Sequence, residues 1–238
     1  HRANHGAHNK SLMETERPAM TAISAAKKSI QIPAPNLKIA MFTIQGSAPY
    51  CQNKFSAKAR QQMKDKQEAG STATGKKKRD PKDFNACYEQ AMHKTSEGWC
   101  GIPAPCFRNA MISACRILGF PMTRAKLAVF TIADGYDRDD GSPLVRITKG
   151  EPQYSEMCVR NETGVVDIRA RPLWKEGWQA QVKIRFDADM FTATDIANLL
   201  ARAGLQVGIG EGRNDSPDSA GIGWGSFDVL GEPKAVKA

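Results

Sequence analysis

Gln179-Ala-Gln-Val-Lys-Ile-Arg-Phe-Asp187 alternates strictly: Ala180, Val182, Ile184 and Phe186 point one way, and Gln181, Lys183 and Arg185 the other. A period of two predicts a half-buried strand whose exposed face is basic. Thr192 follows as a helix N-cap, with Asp195 three residues later in an acidic variant of the capping box. Ile196, Leu199, Leu200 and Ala203 supply the apolar stripe of that helix, and Gly204 suits its C′ position. A glycine-rich segment from Gly208 to Gly225 comes next, then a last strand from Ser226 to Leu230. Strand, helix, glycine loop and strand make one unit, suited to holding an anionic ligand through main-chain groups.

Working outward, Pro33 and Pro35 introduce Leu37 to Ile44, a strand apolar on both faces and therefore central. Phe55 to Glu68 has helical potential but few large apolar anchors. A second strong helix starts near Pro105, buries Phe107, Ala110, Met111, Ala114, Ile117 and Leu118, and ends at Gly119. Arg108 and Arg116 sit eight residues apart on its other side, within about a quarter-turn of each other. Lys126 to Ala133, Leu144 to Ile147 and Val165 to Leu173 read as further strands, the last with Val166, Ile168 and Ala170 inward. Stripped of insertions this is a β-α-β-β-α-β plan. The expected fold is α+β: an RRM/ferredoxin-like antiparallel sheet with two helices on one face, a long basic insertion over about residues 50–96 and a C-terminal glycine loop. Residues 1–30 read as a flexible extension and 31–238 as one domain. The free face of such a sheet would carry Lys183, Arg185, Arg169 and Arg171.

Composition narrows the function. The 238 residues are 41% apolar and 25% charged, ordinary for a globular chain, and no apolar run approaches the length of a membrane span. With no secretory h-region, the expected location is the cytoplasm, and the six cysteines read as reduced, partly buried thiols rather than a zinc site. The formal charge is +9, and from Lys54 to Lys82 ten Lys or Arg face three acids, leaving +7 in one stretch. That concentration points to a polyanionic partner. Lys76, Lys77, Lys78 and Arg79 form its densest cluster.

Motifs for chemistry are sparse. His93 stands alone outside the N-terminal extension and reads as structural, and Asp134, Asp137, Asp139 and Asp140 read as a solvated turn without EF-hand spacing. Gly208-x-Gly210-x-Gly212 follows a helix instead of opening one, unlike a dinucleotide fingerprint. Glycines at 208, 210, 212, 221, 223 and 225 would let backbone N–H groups line a concavity for phosphates, with Arg213 inside the loop and Trp224 as a stacking platform.

Gly101-Ile-Pro-Ala-Pro-Cys-Phe-Arg108, with Arg116 further along the same helix, resembles the element that opens the first helix of RAMP-superfamily proteins. Gly221-Ile-Gly-Trp-Gly225 is similar to that superfamily's C-terminal glycine-rich loop. The strings Val159–Gly164 and Asn198–Gly204 also resemble proteins of tailed bacteriophages and prophages. The resemblance implies an RRM-like core, a bacterial host cell and assembly in multiple copies along a single strand of RNA or DNA. It implies Arg108 and Arg116 near the ligand backbone and the basic insertion as a thumb. RNA-cleaving backbone subunits carry an acid in the loop after the first strand, and here Gly46 to Asn53 contains none. The expectation is therefore a non-enzymatic single-stranded nucleic-acid binder without cofactor, metal or membrane contact. Its expected contacts are Lys76, Lys77, Lys78, Arg79, Arg108, Arg116, Lys183, Arg185, Gly208, Gly210, Arg213, Gly221, Gly223 and Trp224. The alternative is a phage structural or assembly protein whose basic arm grips a neighbouring subunit.

Overall fold

The computed structural model describes residues 31–55, 57–69, 82–160, 164, 166–215 and 221–236. The basic cluster Lys76 to Arg79 lies outside them, as does the extension 1–30. The fold is α+β, with five α-helices and mostly antiparallel sheet among the described residues.

The central strand is β1 (Leu37–Gly46), which pairs antiparallel with β9 (Gln179–Asp187) on one side and β10 (Phe227–Val236) on the other. The far edge of β9 is shared by β4 (Val129–Ile132) and β6 (Pro143–Lys149). Two short strands, β3 (Gly101–Pro103) and β5 (Gly135–Tyr136), extend the sheet from β6. A second sheet joins β2 (Tyr50–Cys51), β8 (Val166–Trp174) and β7 (Pro152–Arg160) in the order β2-β8-β7.

The alternation of β9 resolves as expected. Ala180, Val182, Ile184 and Phe186 are buried beside Ala40, Phe42 and Ile44 of β1. Over them lie α3 (Ala104–Leu118), through Phe107, Ala110, Met111 and Ala114, and α5 (Ala193–Arg202), through Ile196, Leu199 and Leu200. Each of the fully buried Phe, Met, Ile, Leu and Val side chains among these contributes about 1.5–3 kcal/mol. Gly119 closes α3 in the left-handed conformation at φ 66°, and Thr192 with Asp195 forms the reciprocal capping box at the start of α5.

Five local expectations are corrected. The apolar stripe of α3 is buried only as far as Cys115, leaving Ile117 and Leu118 exposed. Lys126 to Ala133 is not one strand: α4 (Met122–Ala128) takes its first half, because Pro121 starts a turn whose carbonyl accepts from Arg124 and Ala125 N–H. Gly204 does not end α5. The chain continues through a π turn, Ala203–Val207, closed by Gly208 N–H to Ala203 C=O at 2.8 Å. Gly204 is needed there because a Cβ would lie 2.0 Å from the Phe227 carbonyl oxygen. The last strand is twice as long as expected, reaching Val236.

Finally, Arg169 and Arg171 are not on the large sheet. They belong to β8, whose even-numbered face is buried only from Ala170 onward, leaving Val166 and Ile168 exposed. Glu211 of the glycine loop draws both guanidinium groups to it, at 3.3 and 2.9 Å. Of the insertion, α1 (Ala57–Ala69) is largely exposed and is linked to the body by Arg60 and Asp140 at 3.4 Å, while α2 (Phe84–Gln90) lies against β8.

Candidate nucleic-acid interface

The structure sorts the described sequence-derived candidates into two places. The first is the sheet face turned away from α3 and α5. In the β1–β9 register Ile39 sits opposite Arg185 and Met41 opposite Lys183, and in the β4–β9 register Phe130 sits opposite Arg185 and Ile132 opposite Lys183. Directly opposed residues share a face, so these side chains form one surface. At its centre the Phe130 ring is flanked by two guanidinium groups, Arg185 at 5.2 Å and Arg108 at 5.5 Å from the centroid. Arg108 reaches Phe130 from α3, held by its Nε bond to Val129 C=O at 3.0 Å and by an Nη2 bond to Lys126 C=O. Lys183 is less available, since Asp134 pairs with it at 2.9 Å.

The second place is a cleft of about 1080 Å³ between the start of α3, the glycine loop and the inner side of the second sheet. Gly208, Gly210, Arg213 and Trp224 all line it, with Asn53, His93, Asn109, Met157 and Arg169. Arg116 meets this region through its ion pair with Asp215, a cleft residue, while Arg108 points to the sheet face. The two α3 arginines therefore meet different parts of the protein. Gly221 and Gly223 are in the same loop but do not line the cleft.

Part of the amide nest expected of the loop, including the Gly208 and Gly225 N–H groups, is spent inside the protein. The N–H groups of Gly208, Ile209, Glu211, Asp215, Trp224 and Gly225 donate to Ala203, Gly225, Cys51, Val207, Gly212 and Pro49 carbonyls. The glycines serve packing first. Gly225, at φ 71°, would place a Cβ 1.7 Å from the Ile209 carbonyl oxygen, and Gly210, at φ 77°, one 2.5 Å from the Cys51 carbonyl oxygen. Both cleft acids are already neutralised, Glu211 by Arg169 and Arg171 and Asp215 by Arg116. The Arg116 guanidinium holds the Asp215 carboxyl below the usual carboxylate range. Burial pushes the Cys106 thiol, also on the cleft wall, up to about 11, so it stays protonated near neutral pH.

A charged cluster that local sequence did not disclose lies beside the cleft. Lys54, counted above with the basic arm, is buried, and its ammonium bonds Asp137 at 2.6 Å and Asp139 at 2.7 Å. Asp137, read as part of a solvated turn, is buried too and accepts from His93 Nδ1 at 2.9 Å and from Asp139 N–H at 2.8 Å. Burial alone would raise the Asp137 carboxyl, but Lys54, the Asp139 amide and His93 outweigh it and hold it below its ordinary value. His93, Asp137 and Asp140 offer ligand atoms within 4.8 Å of one another, the spacing of a metal site. Here the Lys54 ammonium supplies the positive charge that a metal ion would bring to Asp137.

Lys54 and Asp137 are 83 residues apart, so no local pattern predicts their meeting. Phe130 had a signal that was overlooked: residues 98–133 contain four Lys or Arg (108, 116, 124, 126) and no acid. No protein-family model matches the chain, and no curated protein matches it in sequence.

Proposed function

We propose that this protein binds single-stranded RNA or DNA without cleaving it, and that several copies assemble along one strand. The observation that carries this reading is the Arg108–Phe130–Arg185 cluster on the sheet face turned away from α3 and α5, where neither guanidinium meets a carboxylate among the described residues. An aromatic ring offers a π-face to any base, and guanidinium groups beside it meet phosphates, a combination suited to sequence-tolerant binding. The strand order β10-β1-β9-β4, with α3 after β1 and α5 after β9, supports an RRM/ferredoxin-like core, in which that face is left open. The basic cluster Lys76 to Arg79, on the insertion between β1 and α3, would add phosphate contacts and salt dependence.

The test is a titration of fluorescent single-stranded and duplex oligonucleotides at two salt concentrations. Wild type should prefer the single strand, and Phe130→Ala should weaken that binding on the order of tenfold, the effect of losing one stacked base. An unchanged affinity in a folded Phe130→Ala protein refutes the sheet face as the platform. Incubating RNA with the protein and magnesium should leave it uncut.

A further inference from the structure

His93 occupies the cleft wall in a state that its neighbours dictate. Its backbone is clamped at both ends: the N–H donates to Gln52 Oε1 at 3.0 Å, and the C=O accepts from Gly101 N–H at 3.1 Å. Its ring Nδ1 lies 2.9 Å from Asp137 Oδ2. The other oxygen of Asp137 takes the Lys54 ammonium and the Asp139 amide, so this buried carboxylate is ionised and accepts only. Nδ1 must therefore carry the proton, which leaves Nε2 as a lone-pair acceptor. Burial, the largest influence on the ring, draws His93 below the usual histidine range in spite of Asp137, so the imidazole is neutral near neutral pH. Nε2 has no hydrogen bond among the described residues and is not fully enclosed, and His93 lines the cleft.

Resting on the nucleic-acid reading above, we infer that His93 Nε2 is a specificity contact: it accepts a hydrogen bond from one nucleotide of the bound strand that enters the cleft. The donor is an exocyclic amine of the base or the 2′-hydroxyl of the ribose, the neutral donors of a nucleotide that suit a fixed acceptor. A cationic ligand is disfavoured because Arg169 and Arg213 also line the cleft. The cleft's two acids do not compete as acceptors, being held by arginines. Trp224 and Ile222 give the nucleotide an apolar wall. Asp137 and Lys54 act behind His93 as positioning residues, fixing its tautomer without touching the ligand.

The experiment measures binding of the full chain to three short fluorescent oligonucleotides: oligoriboadenylate, oligodeoxyadenylate and a ribo-oligomer of unsubstituted purine. The second lacks only the 2′-hydroxyl, and the third only the exocyclic amine. Wild type should bind one of these two about 5- to 30-fold more weakly than oligoriboadenylate, the loss expected when a site's acceptor goes unpaired, and which one weakens names the donor. His93→Phe should bind all three alike, at the weaker level. Equal binding of all three by wild type, or discrimination retained by folded His93→Phe, overturns the proposal while leaving strand binding intact. If no oligonucleotide binds at all, the parent reading fails, and this contact with it. Should His93→Phe not fold, ¹⁵N spectra of wild type decide: an Nε2 resonance that moves on saturation with oligoriboadenylate upholds the contact, and one that stays overturns it.

Discussion

Replacing Lys54 by Met removes the full positive charge that, among the described residues, faces a wholly covered carboxylate. The Asp137 side chain is 0% exposed and that of Lys54 2%, and they meet at 2.6 Å. The second partner, Asp139, is 48% exposed, so losing that contact is worth about 0–1 kcal/mol. The main cost is the uncompensated Asp137, about 3–5 kcal/mol for breaking a buried pair. His93 and the Asp139 N–H remain bonded to it, which favours the lower end, about 3 kcal/mol. Urea unfolding, followed through the fluorescence of buried Trp174 and Trp178, measures this. The pH dependence should also change sign. In wild type the Asp137 carboxyl sits below its ordinary value, so its contribution is present above the unfolded carboxyl pKa and is lost as pH falls through the folded one. In Lys54→Met, burial prevails and the carboxyl rises above its ordinary value, so stability is lost as pH rises through the folded pKa. The gap between variant and wild type should therefore narrow toward acid pH. Lys54→Met/Asp137→Leu should recover part of the loss, since two apolar groups leave no stranded charge, although His93 Nδ1–H and the Asp139 N–H lose their acceptor. A Lys54→Met protein within about 1 kcal/mol of wild type near neutral pH, or a gap that ignores pH, refutes the reasoning.

Three further outcomes are expected. Gly225→Ala should cost about 3 kcal/mol or more by denaturant unfolding, because the Ile209 carbonyl would have to move, whereas Gly98→Ala, at φ 90° with open space around it, should cost only about 1–2 kcal/mol of backbone strain. Asp195→Ala should cost about 1 kcal/mol in the same assay. The Thr192 backbone N–H and hydroxyl hold that carboxyl below its ordinary value, so the cap's contribution should fade as pH drops through the carboxylate range. Changing Lys76, Lys77, Lys78 and Arg79 together to Ala should flatten the log–log salt dependence of single-strand binding by about two or more, and an unaltered slope sinks the cluster's role in phosphate contact.

The elements legible in the chain were those whose evidence lies within a few residues. The alternation of Gln179–Asp187, the Thr192–Asp195 cap and the α3 stripe from Phe107 to Ala114 each report a burial pattern or a hydrogen bond closed locally, whereas Ile117 and Leu118 at the end of that stripe are exposed. Where distant chain intervened, local pattern misled. Arg169 and Arg171 looked like a solvent face until Glu211 arrived from 40 or more residues away. Gly204 looked like a helix stop, but the close approach of Phe227 made it a packing residue. The candidate site was split in the same way. Trp224, Arg213, Gly208, Gly210 and Gly212 read as one group and do share a cleft, while Gly221 and Gly223 do not line it; His93 reads as structural in the sequence and Phe130 only as part of a strand.

By itself the order of residues determined an α+β chain with a basic insertion, a central apolar strand and a glycine loop, because hydrophobic period, caps and charge density are properties of neighbours. Only the tertiary structure decided which charges are free and which are spent. A lysine's availability depends on what lies across from it, and for Lys54 that is a buried aspartate 83 positions along the chain, while Arg185 meets an aromatic ring.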